Sequence, residues 1–181
     1  MCPTITIGSF AHSEAKSILS HIQLMLPVND FLLDTRRYNL VSNYIAEYSS
    51  YHFEHKDRAE NLISSVIYEL LEYIVSSSNG SSKVDIRFST SDEWLIFELS
   101  SKISSDELGR FKELLSEINE KDLESYYRAI LESDDAEISL QKKMGMVMIA
   151  HDYHARITAT LDEDEGSAFL RAFVRREEIN T

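Results

Sequence analysis

With 181 residues, 43% of them hydrophobic, and only five Gly and two Pro, the chain has material for one domain of long regular elements, which excludes a low-complexity or disordered protein. Its 31 acidic residues against 18 basic ones give a net charge of −13, a surface that repels nucleic-acid backbones and anionic lipid. Cys2 is the sole cysteine, which excludes an intramolecular disulfide and a cysteine-built zinc site, and no apolar run nears the ~18 residues of a membrane span.

The N-terminal stretch lacks the basic and apolar segments of a signal peptide, so a cytoplasmic location is expected. Ile5 and Ile7 alternate with threonines in a short strand-like opening. From Ser13 to Leu26 the reading is a helix, with Ser13 as N-cap, Ile18, Leu19, Ile22 and Met25 on one side, and Pro27 as its stop. A second helix is predicted from about Thr35 to Phe53, carrying Leu40, Tyr44, Ile45 and Tyr48 at helical spacing.

The strongest period follows. Leu62-Ile63, Val66-Ile67, Leu70-Leu71 and Ile74-Val75 recur every four residues, predicting a long amphipathic helix from Asp57 to Ser76 that packs on a sheet. Five serines around Asn79-Gly80 end it. Val84, Ile86 and Phe88, then Trp94 to Leu99, read as a hairpin turning over residues 89–93. Leu108, Phe111, Leu115 and Ile118 mark a helix starting near Ser105 or Asp106. Tyr126, Tyr127, Ile130 and Leu131 mark another, followed by an acidic loop from Glu132 to Glu137. A last helix runs from about Leu140 to Tyr153. A closing hairpin sets Ile157, Ala159 and Leu161 against Leu170, Ala172 and Val174. Two local hairpins favour a mixed or antiparallel sheet with helices on one face, a two-layer α+β sandwich.

The segment Glu69-Leu70-Leu71-Glu72-Tyr73 resembles the N-box helix of the family that holds histidine kinases, gyrase and anti-sigma-factor kinases, built on the Bergerat-type ATPase fold. In that family a Glu polarises water or a hydroxyl, and an Asn four residues later holds Mg²⁺. Here Glu69 is kept and Tyr73 stands at the Asn position. The family's Asp-x-Gly-x-Gly stretch, which reads adenine, corresponds to Leu99-Ser100-Ser101-Lys102-Ile103, with neither Asp nor Gly. Its glycine-rich helix start, where backbone N–H groups take phosphates, corresponds to Lys143-Met144-Gly145-Met146, with one glycine. The order of segments also resembles a mainly bacterial regulatory family, common in cyanobacteria and related to the SiaB-type kinases, that pairs with STAS-like proteins.

The resemblance divides the chain into residues 1–55, an N-terminal strand and helical extension suited to homodimerisation through Phe31, Leu32 and Leu33, and residues 56–181, the ATPase-like part. It implies a non-catalytic signalling module of a partner-switching system that binds a STAS-like protein. A flavin (FAD or FMN) would stand in the former ATP cleft, with ATP and Mg²⁺ not expected. The pocket it implies is Glu69, Tyr73, Ser76, Ser100, Ser101, Lys102, Met144, Gly145 and Met146. The alternatives are a serine/threonine kinase of the anti-sigma-factor type, with Glu69 as its catalytic residue, and a cofactor-free dimeric scaffold.

Each candidate also has a plainer reading. The methionines suit core filling as well as a flat heterocycle. Tyr73 could cover a ligand ring or plug the vacated cleft. His52 with His55, and His151 with His154, have metal-ligand spacing without an established metal signature, so no metal is assigned.

Overall fold

The four-residue period places every apolar pair of the long helix inside the protein. In the computed structural model, which describes residues 4–8, 18–132 and 138–180, this helix is α3 (Lys56–Ser77), and Leu62, Ile63, Val66, Ile67, Leu70, Leu71, Ile74 and Val75 are all buried. The chain is an α+β protein. Its strands are β1 (Ile5–Ile7), β2 (Ile18–Pro27), β3 (Lys83–Ser91), β4 (Trp94–Lys102), β5 (Arg156–Asp162) and β6 (Ser167–Arg175). The remaining helices are α1 (Val28–Leu33), α2 (Arg36–Ser50), α4 (Ser105–Glu120), α5 (Leu123–Leu131) and α6 (Ile138–Asp152), and a 3-10 turn, Arg176–Ile179, follows β6.

All six strands form one open sheet, antiparallel at every junction, in the order β1-β5-β6-β4-β3-β2. Strand alternation sorts its residues. Leu95, Phe97 and Leu99 of β4 join Leu170, Ala172 and Val174 of β6 and the buried faces of the helices in one core. Trp94, Ile96 and Phe173 form a separate small cluster from the opposite alternation. Ser91 tightens the β3–β4 turn by accepting a hydrogen bond from the Trp94 N–H at 3.0 Å, so the turn is only Asp92-Glu93. Ser104 caps α4, accepting from the Glu107 N–H at 3.4 Å.

Two sequence expectations are corrected. Residues 18–26 are a strand, not a helix; Ser13 lies outside the described residues. Ile22, Leu24 and Leu26 also alternate with His21, Gln23 and Met25, and that period-2 pattern wins. It sets Ile22, Leu24 and Leu26 opposite Phe88, Ile86 and Val84 of β3. Of the expected set on α2 only Ile45 is buried: Leu40, Tyr44 and Tyr48 are exposed, while Tyr38, Ser42, Ala46 and Ser49 join Ile45 inside. Small side chains let α2 lie close along α3, where Ala59 is also fully buried. At the N-terminal end of this seam Tyr38 bridges Phe31 and Tyr68, with ring centroids 5.1 and 5.9 Å apart. Residues 133–137 of the expected acidic loop lie outside the described residues.

Residues 1–55 contribute β1 and β2, which form the two outer strands of the same sheet as residues 56–181. Among the described residues, no helix is long and apolar enough to cross a membrane.

Candidate functional site

Three helices converge on Glu69. Its side chain leaves α3 half-buried, in a cleft of about 190 Å³ lined by Asn39, Ser42 and Asn43 of α2, Ser65 and Tyr68 of α3, and Met148 of α6. The helix α6 crosses directly over this carboxylate. A Cβ on Gly145 would fall 1.9 Å from Glu69 Oε2 and 2.9 Å from its Cδ, so the carboxyl keeps this position only against glycine. Burial, helped by the charge of Glu72, pushes the Glu69 carboxyl up from 4.5 to about 6. A group tuned there can exchange a proton near neutrality. No group of three or more His, Cys, Asp or Glu that could hold a metal ion occurs among the described residues.

Four residues along α3, Tyr73 points into the core. It is 6% exposed, and its ring lies 5.0 Å from that of Phe111 on α4 at a tilt of 59°. Burial, and secondarily the charge of Glu107, drives its phenol well above the usual range, so it is neutral at every working pH. Ser76 spends its hydroxyl on the Tyr73 carbonyl at 2.9 Å. Met146 is fully buried, and Met144 packs partly buried against the same core. Gly145 lies inside α6, which begins at Ile138, so its N–H sits in mid-helix and not at a helix start open to phosphate.

Ser100, Ser101 and Lys102 lie elsewhere. Alternation along β4 turns Ser100 to the face opposite Leu99 and the helices. There a hollow of about 430 Å³ is bounded by Ser100, Ser101, Lys102, Lys83, Met25 and Phe169. The Ser101 hydroxyl is tied down, donating to the Lys83 carbonyl at 3.1 Å and lying 3.1 Å from Ser82 Oγ. The nine residues gathered by the resemblance therefore divide among a helix-side cleft, the core and the far face of the sheet. As placed among the described residues they do not fit a flavin or a nucleotide: no cleft lined by described residues alone joins them, and the Tyr73 ring and Met146 are occupied with core packing.

The histidine pair at 151 and 154 divides as well. His151 sits between Asp152 (2.7 Å) and Glu124 of α5 (2.6 Å), stacked on Tyr127 with centroids 4.3 Å apart, whereas His154 pairs with Glu178 at 3.1 Å. Asp152 and then Glu124 raise the His151 pKa above 6.5. Glu117 binds the three neighbouring helices together, taking Lys121 at 2.7 Å, the Tyr126 hydroxyl at 2.6 Å and Lys143 at 3.8 Å.

These shifts predict greater stability on the acid side of neutrality. Raised in the fold, His151 contributes stability that is complete below 6.5 and lost as pH climbs through its folded value. Glu69, also raised, is a penalty above about 6 that fades as pH falls toward 4.5. Below 4.5 the balance reverses. Glu124 is held low by His151 and Arg128; Glu117 is pushed up by burial but brought lower still by Lys121 and Tyr126, and both lose their contribution on protonation. Glu69→Gln is expected to be more stable than the parent at about pH 8, by about 1 kcal/mol after discounting for half exposure, and equal to it at about pH 4. Urea midpoints across that range check both the acid-side stability and the crossover.

Sequence reasoning put Gly145 in one pocket with Glu69, which the structure brings together, but missed Phe111 against Tyr73 and the Asn39–Asn43 wall. Only the lone glycine in a helix pattern was a signal, since glycine inside a helix marks a close approach. No protein-family model matches the chain, and no curated protein matches it in sequence.

Proposed function

We propose that the chain is a regulatory module that acts by binding a protein partner, on a histidine-kinase-ATPase-like two-layer plan whose nucleotide cleft is closed. The observation that carries this reading is Tyr73: the position at which the resemblance calls for a Mg²⁺-holding Asn bears a neutral aromatic ring buried on Phe111. Hard Mg²⁺ needs oxygen at a fixed, hydrated position, and a core phenol supplies neither the site nor the water. Support for the plan comes from element order. The long helix α3 precedes the β3–β4 hairpin, the Met-rich α6 precedes the β5–β6 hairpin, and the two hairpins join through β4 and β6. The partner class follows from the resemblance and is a STAS-like protein. A flavin does not enter the proposal, because the residues expected to wall it are dispersed.

Two measurements test this. Labelled ATP with Mg²⁺ and the STAS-like protein encoded nearest to this chain is expected to give no phosphoryl transfer, and calorimetry no saturable nucleotide binding up to ~1 mM. The same protein is expected to bind the chain without nucleotide. Phosphoryl transfer, or flavin absorbance bands in the purified protein, would overturn the closed-cleft reading.

A further inference from the structure

The two edges of the sheet are protected very differently. On one side β1 is only three residues long, Ile5–Ile7. Beyond it, the Asn119 side chain of α4 donates to the Ile157 carbonyl of β5 at 3.2 Å, filling part of the edge that β1 leaves open. A short strand and a side-chain cap are ordinary ways of blunting an edge. On the other side β2 runs for ten residues, Ile-Leu-Ser-His-Ile-Gln-Leu-Met-Leu-Pro, and is the last strand of the sheet. It carries no Asp, Glu, Lys or Arg in a chain that is 27% charged, and among the described residues its protections are a register shift between Ile18 and Ser20 and the terminal Pro27. The outward N–H and C=O groups of alternate residues thus form an uncharged template for another strand.

Exposed apolar side chains concentrate in the stretch from β2 through α2. Of the ten large hydrophobic side chains exposed among the described residues, nine lie between Ile18 and Tyr51 and only Leu131 lies elsewhere. Leu19 and Met25 of β2 are 56% and 57% exposed; Leu33, at the end of the α1 helix that leaves β2, is 76% exposed.

We infer that β2 pairs antiparallel with β2 of a second copy, joining two six-stranded sheets into one of twelve about a twofold axis at Ile22. Three observations favour a second copy over a different protein. The strand is self-complementary: centred on Ile22, the pairing sets Leu19 of each copy opposite Met25 of the other, and His21 opposite Gln23, with no like charges in register. A chain of net charge −13 can meet its own copy favourably only through a face free of that charge, and β2 is such a face. A twofold contact also closes on itself, using both long edges and leaving only the blunted β1 edges, so it ends at a dimer. The twofold stands perpendicular to the sheet, which brings each α1 end, with Leu32 and Leu33, toward the other copy on the helical side. This inference does not depend on the regulatory reading above.

The test is the solution mass of the full chain by light scattering and sedimentation. A mass about twice 20.8 kDa is expected at micromolar concentration. The pair Leu19→Lys and Met25→Lys, both at exposed positions, is expected to weaken the dimer by about 100-fold or more with unchanged circular dichroism, since edge lysines oppose strand pairing. Leu131→Lys, at the one exposed position elsewhere, is expected to leave the dimer intact. In a Cys2→Ser background, Ile22→Cys is expected to form an intermolecular disulfide on mild oxidation, because the twofold sets residue 22 opposite itself. A chain that stays monomeric up to ~100 µM overturns the inference. So does a dimer that is indifferent to the two lysines and forms no disulfide through residue 22.

Discussion

Replacing Tyr73 with alanine is expected to destabilise the protein by about 3–5 kcal/mol, the range for deleting a buried aromatic ring. The ring is 6% exposed and fills the space between α3 and α4, so its loss leaves a cavity lined by Phe111 that neighbouring rigid elements cannot collapse to fill. Tyr73→Phe keeps the ring and is expected to stay within about 1 kcal/mol of the parent, because the hydroxyl makes no hydrogen bond among the described residues. Tyr73→Asn restores the residue type that the ATPase resemblance calls for. Its expected effect is a loss of about 3 kcal/mol or more, since it combines a cavity with a buried amide. Urea denaturation midpoints of the three variants check the series. A loss below about 1 kcal/mol for alanine would mean that the ring is not core, and the closed cleft would fail with it.

Gly145→Val is the second large effect, expected at about 2 kcal/mol. The added side chain would push the Glu69 carboxyl out of its place in the cleft and press on the Glu69 Cβ, which a Cβ at 145 would approach to 3.3 Å. Ordinary helix propensity predicts the opposite sign, since valine is a better helix former than glycine by a few tenths of a kcal/mol. Pairing the change with Glu69→Ala separates the two causes. Removing the carboxyl opens the space that valine needs, so the double variant is expected to recover about 1.5 kcal/mol or more relative to simple addition. Additive losses would show that Gly145 is needed for its backbone and not for what lies beneath it.

These positions show where the sequence was informative. Periods repeated over many residues were decisive: the four pairs of α3 and the alternation of β3 through β6 have one solution each. Residues 18–26 admitted two periods at once, and only β3, about sixty residues away, chooses between them by offering Phe88, Ile86 and Val84 as partners. In α2 the large residues Leu40, Tyr44 and Tyr48 outweighed small ones in any reading by hydrophobicity. The buried face is set instead by how closely α3 must approach, which favours Ser42, Ala46 and Ser49. The candidate pocket was legible residue by residue and not as a set. Sequence adjacency says nothing of which face Ser100 takes until the strand phase is fixed, and Tyr73 could not be read as core filler until Phe111 was placed opposite.

The pairing of Ile5 with Leu161 and of β4 with β6 has a consequence for the newborn chain. Elements through β4 can assemble while synthesis continues, since β2, β3 and β4 are sequential neighbours in the sheet. At that moment β4 displays its second edge with Leu95, Phe97 and Leu99 beside it, and β1 has no strand to join. Both wait for residues 156–175. The sheet is thus completed from its middle and its far end together, once β5 and β6 have been made. Until then the half-built protein offers a long apolar edge to its surroundings, the condition under which nascent chains need a chaperone.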